Sequence, residues 1–537
     1  MSDQSDVIIA GAGPTGLTLG VELLLRGVPV RVMDRTERPH PHSRALVLWP
    51  RSLEILDRLG IGQDIMNRSI EIHGQVYYSG GKRKARVNFD RLPGSRFTSP
   101  VSIPQQETES AIRERFEGLG GKVEYGVEVV GCQATAHGVK VMLKSDGRTW
   151  TENTPWLIGC DGAHSKVREL MGVDFPGAPY EQKFVLADGE CVTDLAHDEA
   201  HHFMTNRGVL TVLGLPGGSF RVVASAPADL AVEDPIAFVQ QAADERCPVP
   251  LKLVGEQKTG DFRVHRRLAE RFKSGRVLIL GDAAHINSPV GAQGLNTGIE
   301  DAHALGWRLA GVQGESWTAG ILEDWARERE HMAKIVVADT DRQTRMWMLS
   351  GWRAVARDML LTIAEHVGVL DRQVPSRLAQ LSNAYPRQEA GIGSIRPGMR
   401  LPDVPTAAGW LRDALSLRKP TLFVFAADKQ QSANRASARR LLANVEAGLT
   451  VSEAGRINAV LVARGDVSSR RGELHDPTGA VHSAVGASRP SVVLVRPDGI
   501  IELACRFDDP RIPKLINALV QPSLSKAAYV GIEAERE

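Results

Sequence analysis

The hexapeptide Gly11-Ala12-Gly13-Pro14-Thr15-Gly16 directly follows the apolar, β-branched run Asp6-Val7-Ile8-Ile9-Ala10. Glycines at this spacing can cradle a diphosphate. Gly11 permits the tight turn, Gly13 lets a pyrophosphate reach the backbone, and Gly16 lets helix and strand pack closely. A helix opening at Pro14 and Thr15 then points its N-terminus at the anion. Asp34 closes the next strand, 18 residues beyond Gly16, where a carboxylate can accept from ribose hydroxyls, with Arg35 beside it as a further contact. Alone, this motif leaves the choice between two dinucleotides open.

A second cluster narrows the choice. Gly281-Asp282-Ala283-Ala284-His285 follows the apolar run Val277-Leu278-Ile279-Leu280, and Ser288-Pro289-Val290-Gly291-Ala292-Gln293-Gly294-Leu295-Asn296 opens a long helical segment. Asp282, at a strand end, can bond a sugar-like chain. Gly291 and Gly294 allow a flat ring to lie against the backbone, with helix-start N–H groups pointing at it. A reduced flavin carries negative charge on that edge, which a helix N-terminus stabilises.

Positioning these residues requires a βαβ unit: strand, glycine turn, a helix from Leu17 to Arg26 ending at Gly27, then the strand Val28 to Met33. Helical period returns at Arg51 to Leu59 and Glu107 to Leu119, and short strands fill Val123 to Leu143 and Trp156 to Cys160. Between Phe175 and Phe262 helical period largely disappears, and Val209 to Leu213 and Phe220 to Val223 read as antiparallel strands. A helical stretch is expected from Leu295 to Leu370. After Gly391, Gly393 and the prolines at 397, 402 and 405, a small α/β domain follows, with elements at Thr421 to Phe425, Ala433 to Ala447, Asn458 to Ala463, Ser491 to Val495 and Lys514 to Leu519.

With Leu157-Ile158-Gly159-Cys160-Asp161-Gly162-Ala163 between the two glycine clusters, the chain resembles the class A flavoprotein monooxygenases, the aromatic hydroxylases of the p-hydroxybenzoate hydroxylase type. The resemblance spans roughly residues 5 to 390. Val495-Arg496-Pro497-Asp498-Gly499 resembles the thioredoxin-like tail of the phenol and polyketide hydroxylase branch, here without a CxxC. It implies an α/β architecture: a glutathione-reductase-type FAD-binding Rossmann domain (1–175 and 266–392), an inserted antiparallel substrate sheet (176–265, joined by residues about 70–100), and a thioredoxin-like domain (393–537). It implies FAD-binding roles for Arg44 at the diphosphate, Gln105 near the ribityl chain, Asp161 toward FAD and nicotinamide, and Asp282 at the ribityl chain. Pro289 would lie at the reactive ring edge, and the backbone of Gln293 to Leu295 under the flavin carbonyl. Two departures stand out: the usual Gly-Gly is Gly291-Ala292, and Ala304 replaces the usual asparagine of the Asp301-Ala302 motif.

The implied reaction is hydroxylation of a phenolic or polyketide-type aromatic with NAD(P)H and O2 through a flavin C4a-hydroperoxide. Phe203, Leu213, Leu215, Phe220 and Val222 are candidate substrate contacts; the alternation does not say which half faces in. No base is assigned. Arg207 and Arg221 leave a carboxylate clamp open, His285 reads as a packing residue, and His201 and His202, adjacent on one strand, point to opposite faces. The alternatives are an oxidase or halogenase on the same fold and a non-catalytic aromatic-binding protein. The Gly-Trp pairs at 306, 351 and 409 lack the halogenase continuation.

Composition sets the outer bounds. With Lys+Arg 65 against Asp+Glu 64 in 537 residues, the charge of +1 argues against nucleic acid or an anionic membrane as partner. Five cysteines, no two closer than 28 residues, exclude a clustered zinc site and fit a reducing compartment. No leader or spanning run is visible, so a cytoplasmic protein is expected, with no metal and a homodimer left open.

Overall fold

In the computed structural model, residues 6–39, 45–90, 92–387, 389, 391–426, 457–464, 472–506 and 509 are described. The chain divides into two compact units, residues 1–93, 97–302 and 329–381 in one and 94–96, 303–328 and 382–537 in the other.

In the first unit Val7–Ala10 is buried along its whole length, as a strand inside a covered parallel sheet must be. It pairs in parallel with Val30–Asp34 on one side and Leu157–Gly159 on the other. Val277–Ile279 extends the sheet beyond Leu157–Gly159, and Val123–Tyr125 beyond Val30–Asp34; the two-residue strand Lys273–Ser274 closes one edge antiparallel. The Pro14–Leu25 helix carries proline at its start, where the missing N–H costs nothing, and stops before Gly27, whose φ of 79° favours glycine.

A second sheet of eight strands runs in the order His285–Ile286, Leu251–Leu268, Gly177–Thr193, Phe220–Pro227, Gly208–Gly214, Glu199–Thr205, Gly74–Ser79 and Lys82–Asn88. It is antiparallel except where Glu199–Thr205 runs parallel to Gly74–Ser79. One face packs on the Pro235–Arg246 helix, which the sequence reading misses although Asp234 caps it and Pro235 opens it. The register sets Phe203 beside Leu210 and Val212 beside Val222 on that face, and His202 beside Thr211 and Leu213 beside Arg221 on the other.

The expected helical stretch from Leu295 to Leu370 is three helices, Gly294–Gln313, Gly320–Trp347 and Gly351–His366, followed by Val369–Leu378. Gly351 and Gly368, both at positive φ, separate the last three. No helix among the described residues is long and apolar enough to cross a membrane.

The second unit holds a five-stranded sheet in the order Glu473–Asp476, Asn458–Arg464, Thr421–Phe425, Ser491–Val495, Ile501–Arg506, parallel through the first three and antiparallel thereafter. The segments expected to be helical at 433–447 and 514–519 lie outside the described residues. Beside this sheet Glu328 is buried among Arg308, Arg387 and Arg496. Burial works against its charge, but the three guanidinium groups hold its carboxyl at about 2.

Candidate active site

Parallel pairing sets Ala10, Gly159 and Ile279 side by side. Each strand ends into one of the three motifs, so all three emerge at one end of the sheet, spaced by the ~4.8 Å between neighbouring strands. Gly11 has φ 106°, and a side chain there would run into the Cys160 carbonyl; one on Gly281 would lie 2.7 Å from the Thr15 hydroxyl. These glycines are dictated by the protein's own packing. Gly13 is not. Its φ of −73° suits any residue, and nothing stands within 4 Å of where its Cβ would be. No contact of the described chain requires a glycine there, and it lies at the mouth of a helix with no side-chain cap, where a bound group could approach the backbone.

Around this turn the acidic groups hold backbone. Asp34 Oδ2 accepts from Ala12 N at 2.8 Å, and its Oδ1 accepts from Thr36 N at 2.9 Å and Thr36 Oγ1 at 2.7 Å, so it pins the glycine loop; Arg35 is exposed. Asp161 accepts from Lys166 N at 2.7 Å and Val167 N at 3.1 Å, capping the short Lys166–Leu170 helix. Gln105 Oε1 accepts from Ala45 N at 3.1 Å; Arg44 itself lies outside the described residues. Glu109, one turn further, is pushed up to about 7, chiefly by burial, with Arg113 opposing.

In the third motif Asp282 and Pro289 are exposed. Gln293 Nε2 donates to Gly291 O at 3.1 Å and Leu378 O at 2.9 Å. Asn296 Nδ2 donates to Val47 O at 2.9 Å and Ala292 O at 2.8 Å, while its Oδ1 accepts from Trp49 N at 2.9 Å. These two side chains therefore rivet the loop, and what they leave at the start of the Gly294–Gln313 helix is backbone, around Gly294 and Leu295. Ala292, where the family has a second glycine, holds φ 52°.

Sequence reasoning missed what fixes the Gly281 turn. Buried Asp301 accepts from Gly281 N at 3.2 Å, His285 Nε2 at 2.7 Å and Arg329 Nε at 2.6 Å. Although burial disfavours its charge, Arg329 and His285 hold its carboxyl below the usual range. His285, stacked on Phe272 at 5.9 Å, is fully committed to this packing.

Residues 4–340 match the FAD binding domain family. The chain belongs to that family. It is 34% identical over 384 residues to 6-methylpretetramide 4-monooxygenase of Streptomyces rimosus, covering 70% of this chain and 68% of that one. Rifampicin monooxygenase of Streptomyces venezuelae is 31% identical, covering 76% and 85%. The solved structure of OxyS anhydrotetracycline hydroxylase from Streptomyces rimosus matches 97% of this chain and 100% of that one, with TM-score 0.75 and 26% identity. The protein is an FAD-dependent monooxygenase of mixed α/β fold, similar to aromatic hydroxylases.

The monooxygenase's expected substrate contacts split between the two faces of the eight-stranded sheet. Leu213 and Leu215 share a core with Trp49, Tyr77, Trp347 and Val290 of the third-motif loop. Phe203, Phe220 and Val222 do not: they turn to the Pro235–Arg246 helix, because residues offset by one along a strand must face the other way. Neither candidate arginine is available as a clamp. Arg221 donates through Nε and Nη2 to Asp188, both at 2.6 Å, and Arg207 pairs with Glu245 at 3.2 Å on the surface.

Both histidines of the flavoenzyme's Glu199–Thr205 strand are buried, and the parallel partner Gly74–Ser79 covers that strand's outer edge. His202 Nδ1 bonds Thr211 Oγ1 at 3.0 Å, and its ring centroid lies 4.3 Å from that of Trp347. His202 Nε2 and Trp347 Nε1 are buried with no hydrogen-bond partner among the described residues. Burial, and next the neighbouring His201, bring His202 down to about 3, so it stays neutral. Each unpaired buried donor or acceptor costs about 1–3 kcal/mol.

Proposed function

We propose that this FAD-dependent monooxygenase hydroxylates a neutral, multi-ring phenolic or polyketide-type aromatic, with NAD(P)H as electron donor. The observation that carries the reading is the single apolar core joining Val290 and Trp49 at the third-motif loop to Tyr77, Leu213, Leu215 and Trp347 at the sheet. An aromatic lying on that face meets the loop directly. Polar handles there are neutral, His202 and Trp347, while the arginines are tied to carboxylates. That favours hydroxyl-bearing rings over a benzoate, which calls for a free guanidinium. The names of the tetracycline-type and rifampicin relatives point the same way.

When bound, FAD supplies the hydride acceptor and the activation of dioxygen. The chain's own residues bind and position. The open backbone at Gly13 and the mouth of the Pro14–Leu25 helix would hold the diphosphate, with Asp34 fixing the turn beneath it. Backbone N–H groups at Gly294 and Leu295 would stabilise negative charge on the ring, held in place by Gln293 and Asn296. His202 and Trp347 would orient a substrate hydroxyl, and the surrounding apolar core would exclude water. We further assign residues 1–175 and 266–392 to the FAD-binding domain, 176–265 with the Gly74–Asn88 strands to the substrate domain, and 393–537 to a thioredoxin-like domain without a CxxC, a reading supported by the sheet orders.

The test is NAD(P)H oxidation and product mass on FAD-loaded protein with single-ring phenols, polycyclic phenols and benzoates. Coupled addition of one oxygen atom should be fastest with polycyclic phenols. Fastest coupled turnover on a benzoate, or no stimulation by any phenol, overturns the proposal.

A further inference from the structure

The Gly351–His366 helix is amphipathic the wrong way round. Its protein-facing side is largely polar, although Leu361 reaches into the apolar core there. Arg357 donates to Met346 O at 3.2 Å, Trp347 O at 3.3 Å and Ser79 Oγ at 3.0 Å. Thr362 Oγ1 donates to Lys84 O at 3.0 Å, and Glu365 accepts from Arg86 N at 3.0 Å. Its solvent side carries Trp352, Val355, Met359, Leu360 and Ile363, continued by Val367, all 53–75% exposed. Positions offset by 3, 7, 8, 11 and 15 form one stripe along a helix. The other large exposed apolar side chains, Val369 at the stripe's end excepted, are scattered singly over the described residues.

At ~200 Å² of accessible surface for a large side chain, these fractions leave about 750 Å² of contiguous apolar surface. That exceeds the roughly 300–600 Å² patch of an ordinary monomer and matches the roughly 800 Å² per partner of a standard interface. We propose that this face is a homodimer interface, two copies packing their Gly351–His366 helices antiparallel across a two-fold axis. The stripe is self-complementary in that arrangement. An axis between Met359 and Leu360 sets Trp352 against Val367 of the second copy and Ala356 against Ile363, large against small, with Met359 against Leu360 at the axis itself. A lipid surface would select for basic excess, and this chain has 65 cationic against 64 acidic side chains. The helix is clamped by its polar side, so the apolar side is presented as a rigid strip. This interface is independent of the substrate assignment.

Light scattering on the FAD-loaded full chain at micromolar concentration should give twice the 58.4 kDa of one chain. The double variant Trp352→Glu/Ile363→Glu should weaken dimerisation at least ~100-fold, because each carboxylate would be buried unpaired, with the flavin spectrum unchanged and the melting temperature no longer rising with protein concentration. Leu360→Cys, beside the axis, should form an interchain disulfide on mild oxidation, whereas Arg372→Cys should not. A monomeric wild type, a dimer whose mass survives the double variant, or a dimer that Leu360→Cys fails to cross-link overturns the proposal.

Discussion

On one face of the eight-stranded sheet, Phe203, Leu210, Val212, Phe220 and Val222 meet Val239, Ala242 and Ala243 of the Pro235–Arg246 helix in a dry apolar layer. On the other, one residue further along the same strands, His202 sits near Tyr77 and Trp347, and the Arg221–Asp188 pair lies beside Leu213. The strands are shared, so backbone geometry cannot explain the contrast. What differs is the neighbour. A helix of the same unit closes the first face, where His201 Nδ1 and Arg246 Nε also lack a partner among the described residues. The second carries His202 Nε2 and Trp347 Nε1, likewise unpaired among the described residues, and it shares its apolar core with Val290 of the third-motif loop.

Substitutions can separate the two faces. Phe220→Ala, on the helix side, should cost about 3–5 kcal/mol of stability in chemical denaturation while leaving the KM of the folded fraction unchanged. A large KM effect there would erase the distinction. His202→Phe, on the other side, should lower kcat/KM for phenolic substrates ten- to a hundred-fold, about 1.4–2.7 kcal/mol, and increase wasted NAD(P)H oxidation. Unchanged coupling would show that the orphaned nitrogen has no part in positioning substrate.

The same residue gives a pH signature. His202 titrates at about 3 when folded against 6.5 as the ordinary value, so below 6.5 the unfolded chain binds more protons. Its contribution to stability is complete above 6.5 and is lost as pH falls toward 3. His202→Phe removes that loss, and acid unfolding followed by circular dichroism should shift to lower pH. The smallest effect belongs to the loop bordering the substrate face. Ala292→Gly relieves a left-handed alanine, worth about 1–2 kcal/mol, against about 0.4–1 kcal/mol of added unfolded-state entropy. The net gain, about 0.5–1 kcal/mol, should appear as a slightly raised melting temperature.

The three strand-end motifs, which the structure brings to one end of a sheet, were legible in sequence because each is local: a β-branched run, a glycine turn and a helix start within about twenty residues. The direction of the substrate sheet was not. Period-two alternation separates Phe203 from His202 and Leu213 from Val212, but which set meets the third-motif loop is decided by the Pro235–Arg246 helix, signalled by Asp234-Pro235 amid strands. The burial of His201 and His202 depends on pairing with Gly74–Ser79, more than a hundred residues earlier, and nothing in the Glu199–Thr205 segment announces it. Asp161, expected at the cofactor, spends both carboxylate oxygens on Ser165, Lys166 and Val167, a role that Ser165 and the helix after it could have suggested.

The sheet order has a consequence for biosynthesis. Val7–Ala10, Leu157–Gly159 and Val277–Ile279 are neighbours in space, but a ribosome delivers them one after another across about 270 residues, a separation that makes such pairings slow. Until the third strand has emerged and docked, a nascent chain offers only an unfinished sheet edge and no complete nucleotide cradle. Loading with the yellow cofactor should therefore wait until at least half of the 537 residues have been made, and a fragment terminating before Val277 should purify colourless.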